Sequence, residues 1–140
     1  MPVCSPKRGG AMLAIDTNLI VRYLTGDHPT QSSRARALID SQLVFVAVTV
    51  ILEVEWVLRS TYGFAPLEIA RTLRAFSGLP TVEVEDGAVV SSALDLSERG
   101  LDFADALHLS KSAHCTGFAT FDRKFIKAAK AAGYDGVQEA

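Results

Sequence analysis

Apolar and polar positions switch between two periods along this chain, and the switching predicts strands that alternate with helices. Met12 to Ile15 is a short apolar run, of the kind that fits a strand buried on both faces of a parallel sheet. It ends at Asp16. Beyond Thr17 and Asn18, apolar residues return at helical spacing as Leu19, Ile20, Tyr23 and Leu24. Pro29 to Asp40 has Ala35, Leu38 and Ile39 on one side and Arg34 and Arg36 elsewhere, which reads as a modest second helix. Leu43 to Thr49 is apolar and β-branched, a second buried strand. It runs into Val50 to Arg59, where period alone cannot separate helix from strand; the expectation is a helix capped near Thr49 and ended by Gly63.

Pro66 suits the first turn of a further helix, which carries Leu67, Ile69, Ala70, Leu73 and Phe76 and stops at Gly78. Thr81 to Val84 alternates as a strand. Asp86 or Gly87 then opens a helix that runs to Gly100, and Leu101 to Leu109 begins another, ending near Gly117. Phe118 to Thr120 reads as a very short strand, Asp122 to Ala132 as a helix and Tyr134 to Val137 as a last strand. Such alternation implies an α/β fold: a three-layer α/β/α sandwich around a central, mostly parallel sheet.

Composition narrows the class. The 140 residues suit one domain with a real core, and 49% hydrophobic with 21% charged residues is ordinary for a soluble globular protein. Residues 1 to 11 read as a disordered tail and residues 12 to 140 as the domain, with Met12 a second candidate for the start of translation. No apolar run is long enough for a membrane span, and the first ten residues lack the apolar stretch of a signal peptide. Cys4 and Cys115 have no CxxC or histidine partner at zinc spacing, so reduced thiols in a cytoplasm are expected. A net charge of −2 argues against a generally basic nucleic-acid binder, but not against a local basic face.

Four acids change the picture. Asp16 sits where a strand gives way to a helix, the position at which open α/β sheets bind ligands, although Asp, Thr and Asn are also ordinary helix caps. On a helix from Thr49, steps of about 100° place Val50, Trp56 and Val57 near Glu53. Glu55 then falls on the far side, four residues before Arg59, an ordinary surface ion-pair spacing. Glu53 is therefore expected on an apolar face, either serving a site or paired with an arginine. Asp102 fits a cap, with Asp105 in the third helical position beside the apolar stripe of Phe103, Ala106 and Leu109. Asp122 repeats the Asp16 arrangement. If the strands are parallel, these points converge, and four carboxylates together call for protonation or a cation. Magnesium or manganese, which take oxygen ligands, would serve, and such ions can activate water against a phosphodiester.

The order AIDTN at 14–18, LEVEWVL at 52–58, DFADALHL at 102–109 and ATFDRKF at 119–125 resembles the PIN domain, and more narrowly the VapC-like toxins of bacterial toxin–antitoxin pairs. The resemblance runs from about residue 12 to 137. It implies a ribonuclease dependent on Mg2+ or Mn2+, with Asp16, Glu53, Asp105 and Asp122 as catalytic and metal-binding acids. Asn18 and Thr120 match positions of polar helpers in substrate binding. A homodimer and silencing by a cognate antitoxin protein are also implied, beside the RNA substrate. The tail before Met12 departs from the family pattern.

The remaining candidates are weaker. Arg123, Lys127 and Lys130 recur at helical spacing as a basic face beside Asp122, either solvated or in contact with phosphate, with no aromatic interleaved. His108 reads as a packed boundary histidine, His28 as loop and His114 as helix surface; Phe121 and Phe125 read as core. A receiver-like phospho-switch would want paired acids after the first strand and a lysine after the last. An aspartate-nucleophile phosphatase would want Asp where Asn18 stands. A partner-binding module that keeps the acids only for structure is the remaining rival.

Overall fold

The computed structural model describes residues 11–140, so the expected tail, apart from Ala11, lies outside the described residues. In chain order the elements are β1 (Leu13–Ala14), α1 (Thr17–Thr25), α2 (Pro29–Ser41), β2 (Val44–Val46), α3 (Val48–Ser60) and α4 (Pro66–Ser77). There follow β3 (Val82–Val84), α5 (Gly87–Glu98), α6 (Phe103–Lys111), β4 (Phe118–Thr120), α7 (Arg123–Ala131) and β5 (Val137–Glu139). Every strand pairing is parallel. One ladder has the order β1-β2-β3, with Ala14 opposite Phe45 and Phe45 opposite Glu83, and a second joins β4 to β5. The α/β class holds, in a mostly helical form with a small parallel sheet. No helix among the described residues is long and apolar enough to cross a membrane.

The pattern of burial explains the elements and corrects several boundaries. The fully buried side chains include Ile20, Ile39, Val44, Ile51, Leu73 and Phe103, one or more from each of α1, α2, β2, α3, α4 and α6. Helix α1 packs on α2 and α3, while α5 packs on α4 and α6. The strand expected at Met12 to Ile15 is not buried on both faces: its ends Met12 and Ile15 are covered, but Leu13 is 43% exposed. β1 is the outer strand of its ladder, so it has a paired neighbour on one side only. The strand expected over Leu43 to Thr49 shrinks to three residues because Ala47 already accepts from the amides of Val50 and Ile51, beginning α3. Helix α6 stops at Lys111 rather than near Gly117, giving way to turns closed by Ser112 onto Leu109 and Cys115 onto Ser112. The last strand begins at Val137, later than expected, because Tyr134 still donates its amide to Ala129 at the exit of α7.

Helix α3 departs most from expectation. Its N-cap is Ala47, not Thr49, and Ala47 has no side-chain acceptor to offer. The free amide of Val48 is satisfied from across the sheet, by Glu85 Oε1 at 2.8 Å. The buried stripe is Val48, Ile51, Val54, Glu55 and Leu58, which leaves Glu53 exposed and Trp56 56% exposed. The inward and outward glutamates are thus exchanged relative to expectation. The stretch is apolar at nearly every position, so several phases fit it equally well.

Glu55, only 5% exposed, nevertheless makes the ion pair that its spacing predicts, with Arg59 Nε at 2.9 Å and Nη2 at 3.3 Å. A carboxylate so placed depends on its partner. Arg59→Ala should therefore destabilise the protein by about 2–3 kcal/mol, the scale of a lost hydrogen bond to a buried charge. Chemical denaturation would measure it. A change within ~0.5 kcal/mol, typical of surface substitutions, would mean that solvent serves Glu55 as well as Arg59 does.

Candidate active site

A helix start leaves amides without intrahelical acceptors, and at three helices here an aspartate side chain at the N-cap supplies one. Asp16, after β1, caps α1 through Oδ1 to the amide of Leu19 at 3.0 Å. Asp122, after β4, caps α7 by accepting at Oδ1 from the amides of Lys124 and Phe125, at 3.0 and 3.2 Å. Asp102 caps α6 through Oδ2 to the amide of Asp105 at 3.2 Å, which sets Asp105 in the first turn, as the spacing predicts. Capping is therefore a true role of Asp16, Asp102 and Asp122. It occupies one carboxylate oxygen of each, and no hydrogen bond engages the other among the described residues.

The cap of α1 brings Glu53 into play. Asp16, Thr17, Asn18, Val21, Val50 and Glu53 line a shallow hollow of about 350 Å³ between α1 and α3. Thr17 Oγ1 donates to Glu53 Oε1 at 2.5 Å and so ties the glutamate to the residue after Asp16. The alternative of an arginine salt bridge for Glu53 is overturned, since that part is played by Glu55 with Arg59. Asp105 lies in reach of the charges of Asp102 and Asp122. Asp105 is half-buried and no hydrogen bond engages its carboxylate among the described residues. Burial, first, and then the negative charges of Asp102 and Asp122 push its carboxyl above the usual range, against the opposing pull of His108. None of the four acids is in an ion pair among the described residues.

The expected convergence is thus partial. Asp16 and Glu53 share one hollow, and Asp105 feels the charges of Asp102 and Asp122, but among the described residues no three His, Cys, Asp or Glu side chains come close enough to share a metal ion. The chemistry of the donors still suits a hard divalent cation. All are carboxylates with an oxygen free, no soft ligand competes, and the charge of Asp105 is disfavoured as it stands.

The other residues singled out by sequence are distributed unevenly. Asn18 is exposed beside Asp16 and borders the hollow. Thr120 Oγ1 accepts from the amide of Asp122 at 3.0 Å, so it braces the turn that carries this acid. Arg123 is held to Glu139 at 3.3 Å, while Lys127 and Lys130 are exposed. His108 is exposed rather than packed, and His28 caps α2 through Nδ1 to the amide of Gln31. Phe125 is core, with its ring 5.4 Å from that of Phe118, but Phe121 is 81% exposed beside Asp122. A second cleft, on the other side of Asp16, is lined by Gln31 and Arg34 of α2 as well as by Asn18 and Arg22. Sequence reasoning missed it, because nothing in the pattern indicates how two helices pack.

Comparison with known families agrees with this arrangement. No curated protein matches the chain. The family model described as the PIN domain matches residues 13–131, a span that contains all four acids and every strand but the last. The chain belongs to the PIN domain family.

Proposed function

We propose that this protein is a metal-dependent endoribonuclease, the toxin of a toxin–antitoxin pair, which hydrolyses RNA phosphodiester bonds in the cytoplasm. PIN domains are typically metal-dependent nucleases, and that coarser role comes with the family. The observation that carries the finer reading is the set of Asp16, Glu53, Asp105 and Asp122, carboxylates with no arginine or lysine paired to them among the described residues. Glu55, by contrast, is buried and spends its charge on Arg59. A homodimer, and inhibition by a cognate antitoxin, complete the proposal on the strength of the resemblance.

In this reading the free oxygens of the four acids would hold Mg2+ or Mn2+, which would supply charge neutralisation at the phosphate and a more acidic water. Thr17 orients Glu53, and Thr120 orients Asp122 through the turn. Asn18 borders the hollow and would contact the ribose or phosphate. Arg123 and Lys127 would offer positive charge to the RNA backbone beyond Asp122. That no three such side chains come close enough to share a metal ion among the described residues favours a second reading, a PIN-like module that binds a partner without catalysis.

Cleavage of RNA should require Mg2+ or Mn2+ and stop on chelation. Attack by water predicts products with 5′-phosphate and 3′-hydroxyl ends; cyclic 2′,3′-phosphate ends would mean attack by the substrate's own hydroxyl. Glu53→Gln should lower kcat/KM at least about 100-fold, the scale of lost acid–base or metal-ligand chemistry. Glu55→Gln should leave activity per folded molecule within a few-fold. Equal losses would leave the distinction between the two glutamates without support, and an inactive wild type with both ions would favour the binding module.

Stability gives an independent check. The carboxyl of Asp105 is raised in the fold, so its contribution is fully present in acid, where folded and unfolded chains are both protonated, and is lost as pH rises through the raised value. In chelator, Asp105→Asn should therefore melt a few degrees above the wild type at neutral pH, with the advantage vanishing in acid. Manganese should raise the wild-type midpoint and that of the variant much less, because a ligand bound only by the native state stabilises it. Equal responses to manganese in thermal scans would exclude Asp105 from the ion's site.

A further inference from the structure

Asp16 and Asn18 form a wall between two hollows. On one side is the hollow with Glu53; on the other is a cleft of about 380 Å³ between α1 and α2. We propose that this second cleft binds one nucleotide of the RNA, adjoining the phosphate held at Asp16 and Glu53. The proposal rests on the ribonuclease reading and extends it to a subsite.

The lining suits such a ligand. Leu19, Ala35 and Leu38 make an apolar floor, against which the face of a base can lie. Arg34 stands on the rim, exposed, with no ion pair or hydrogen bond among the described residues. A guanidinium free in this way is matched to a phosphate. Arg22 is by contrast engaged at two of its three nitrogens. Its Nη1 donates to Asp27 at 3.1 Å and its Nε to Gln31 Oε1 at 2.9 Å. That second bond fixes the Gln31 amide and leaves its nitrogen as an unused donor. Asn18, on the opposite wall, adds a second side-chain amide with both donor and acceptor capacity. An apolar floor, two amides and one unpaired cation are what one base and one phosphate require.

Size points the same way. The volume falls near the lower end of small-ligand sites, roughly 300–1,000 Å³. An amphipathic helix from a protein partner, about 10–12 Å across with its side chains, asks for a longer groove. The shared wall also gives a register. A nucleotide in the cleft has its neighbouring phosphate next to Asp16, where the chemistry is proposed, so the cleft would choose which base flanks the cut.

Two measurements test the subsite, and only one depends on activity. The Glu53→Gln protein, in chelator, is titrated with each of the four 5′-mononucleotides and followed by amide NMR. Shifts should cluster at Leu19, Gln31, Ala35 and Leu38, with millimolar affinity, and Arg34→Ala in the same background should weaken binding about ten-fold, the scale of one charge-assisted hydrogen bond. On short RNA with manganese, Arg34→Ala should raise KM more than it lowers kcat, and Gln31→Ala should broaden the choice of base beside the cut. Shifts elsewhere, or none, would overturn the subsite even in an active enzyme. Mononucleotide binding in the cleft of a protein that cuts no RNA would keep the subsite and remove the nuclease reading. Shifts at the cleft with a protein partner but with no nucleotide would give the surface to the partner instead.

Discussion

Unsatisfied amides at helix starts are the constraint on which this architecture depends. Most strands, of two or three residues, turn almost at once into helices, and every helix start exposes amides, several of which take side-chain acceptors. Asp16, Asp102, Asp122 and, from a distance, Glu85 provide them. Carboxylates are good caps because the positive end of the helix dipole also favours them. The same requirement that stabilises the turns thus stocks them with negative charge. A capping carboxylate has a second oxygen to spare, so structure and function draw on different atoms of one side chain.

The two glutamates of α3 show how burial and usefulness can separate. Glu55 lies among the buried side chains and is neutralised by Arg59, so its charge is spent within the fold. Glu53 is exposed, yet it is oriented by Thr17 and faces the hollow that contains Asp16. Exposure is what a ligand-binding acid needs, because a cation and a phosphate must reach it. Asp105 stands between these cases, half-buried and without a hydrogen bond to its carboxylate, where its charge costs most.

Much of this was legible in the sequence. Asp16, Asp102 and Asp122 as caps, Asp105 in the first turn and the Glu55–Arg59 pair all follow from spacing within one helix, and each is found. The α/β class follows from alternation of periods. What was not legible depends on neighbours far along the chain. The phase of α3 could not be read where almost every residue is apolar, so the faces of Glu53 and Glu55 were exchanged. Phe121 looked like core because its exposure depends on packing around β4 and α7, not on its own apolarity. The cap on Val48 comes from Glu85, 37 residues away, and the cleft at Arg34 from the docking of α2 on α1. Neither leaves a local signature.

We propose that Asp16, Glu53, Asp105 and Asp122 serve one cation site. Paramagnetic broadening tests it most directly. Traces of Mn2+ added to isotope-labelled protein broaden the amide signals nearest the bound ion. If one site serves all four acids, their signals fade together at the lowest manganese level and return when excess magnesium competes. Fading confined to some of the acids, or centred elsewhere on the surface, would contradict it.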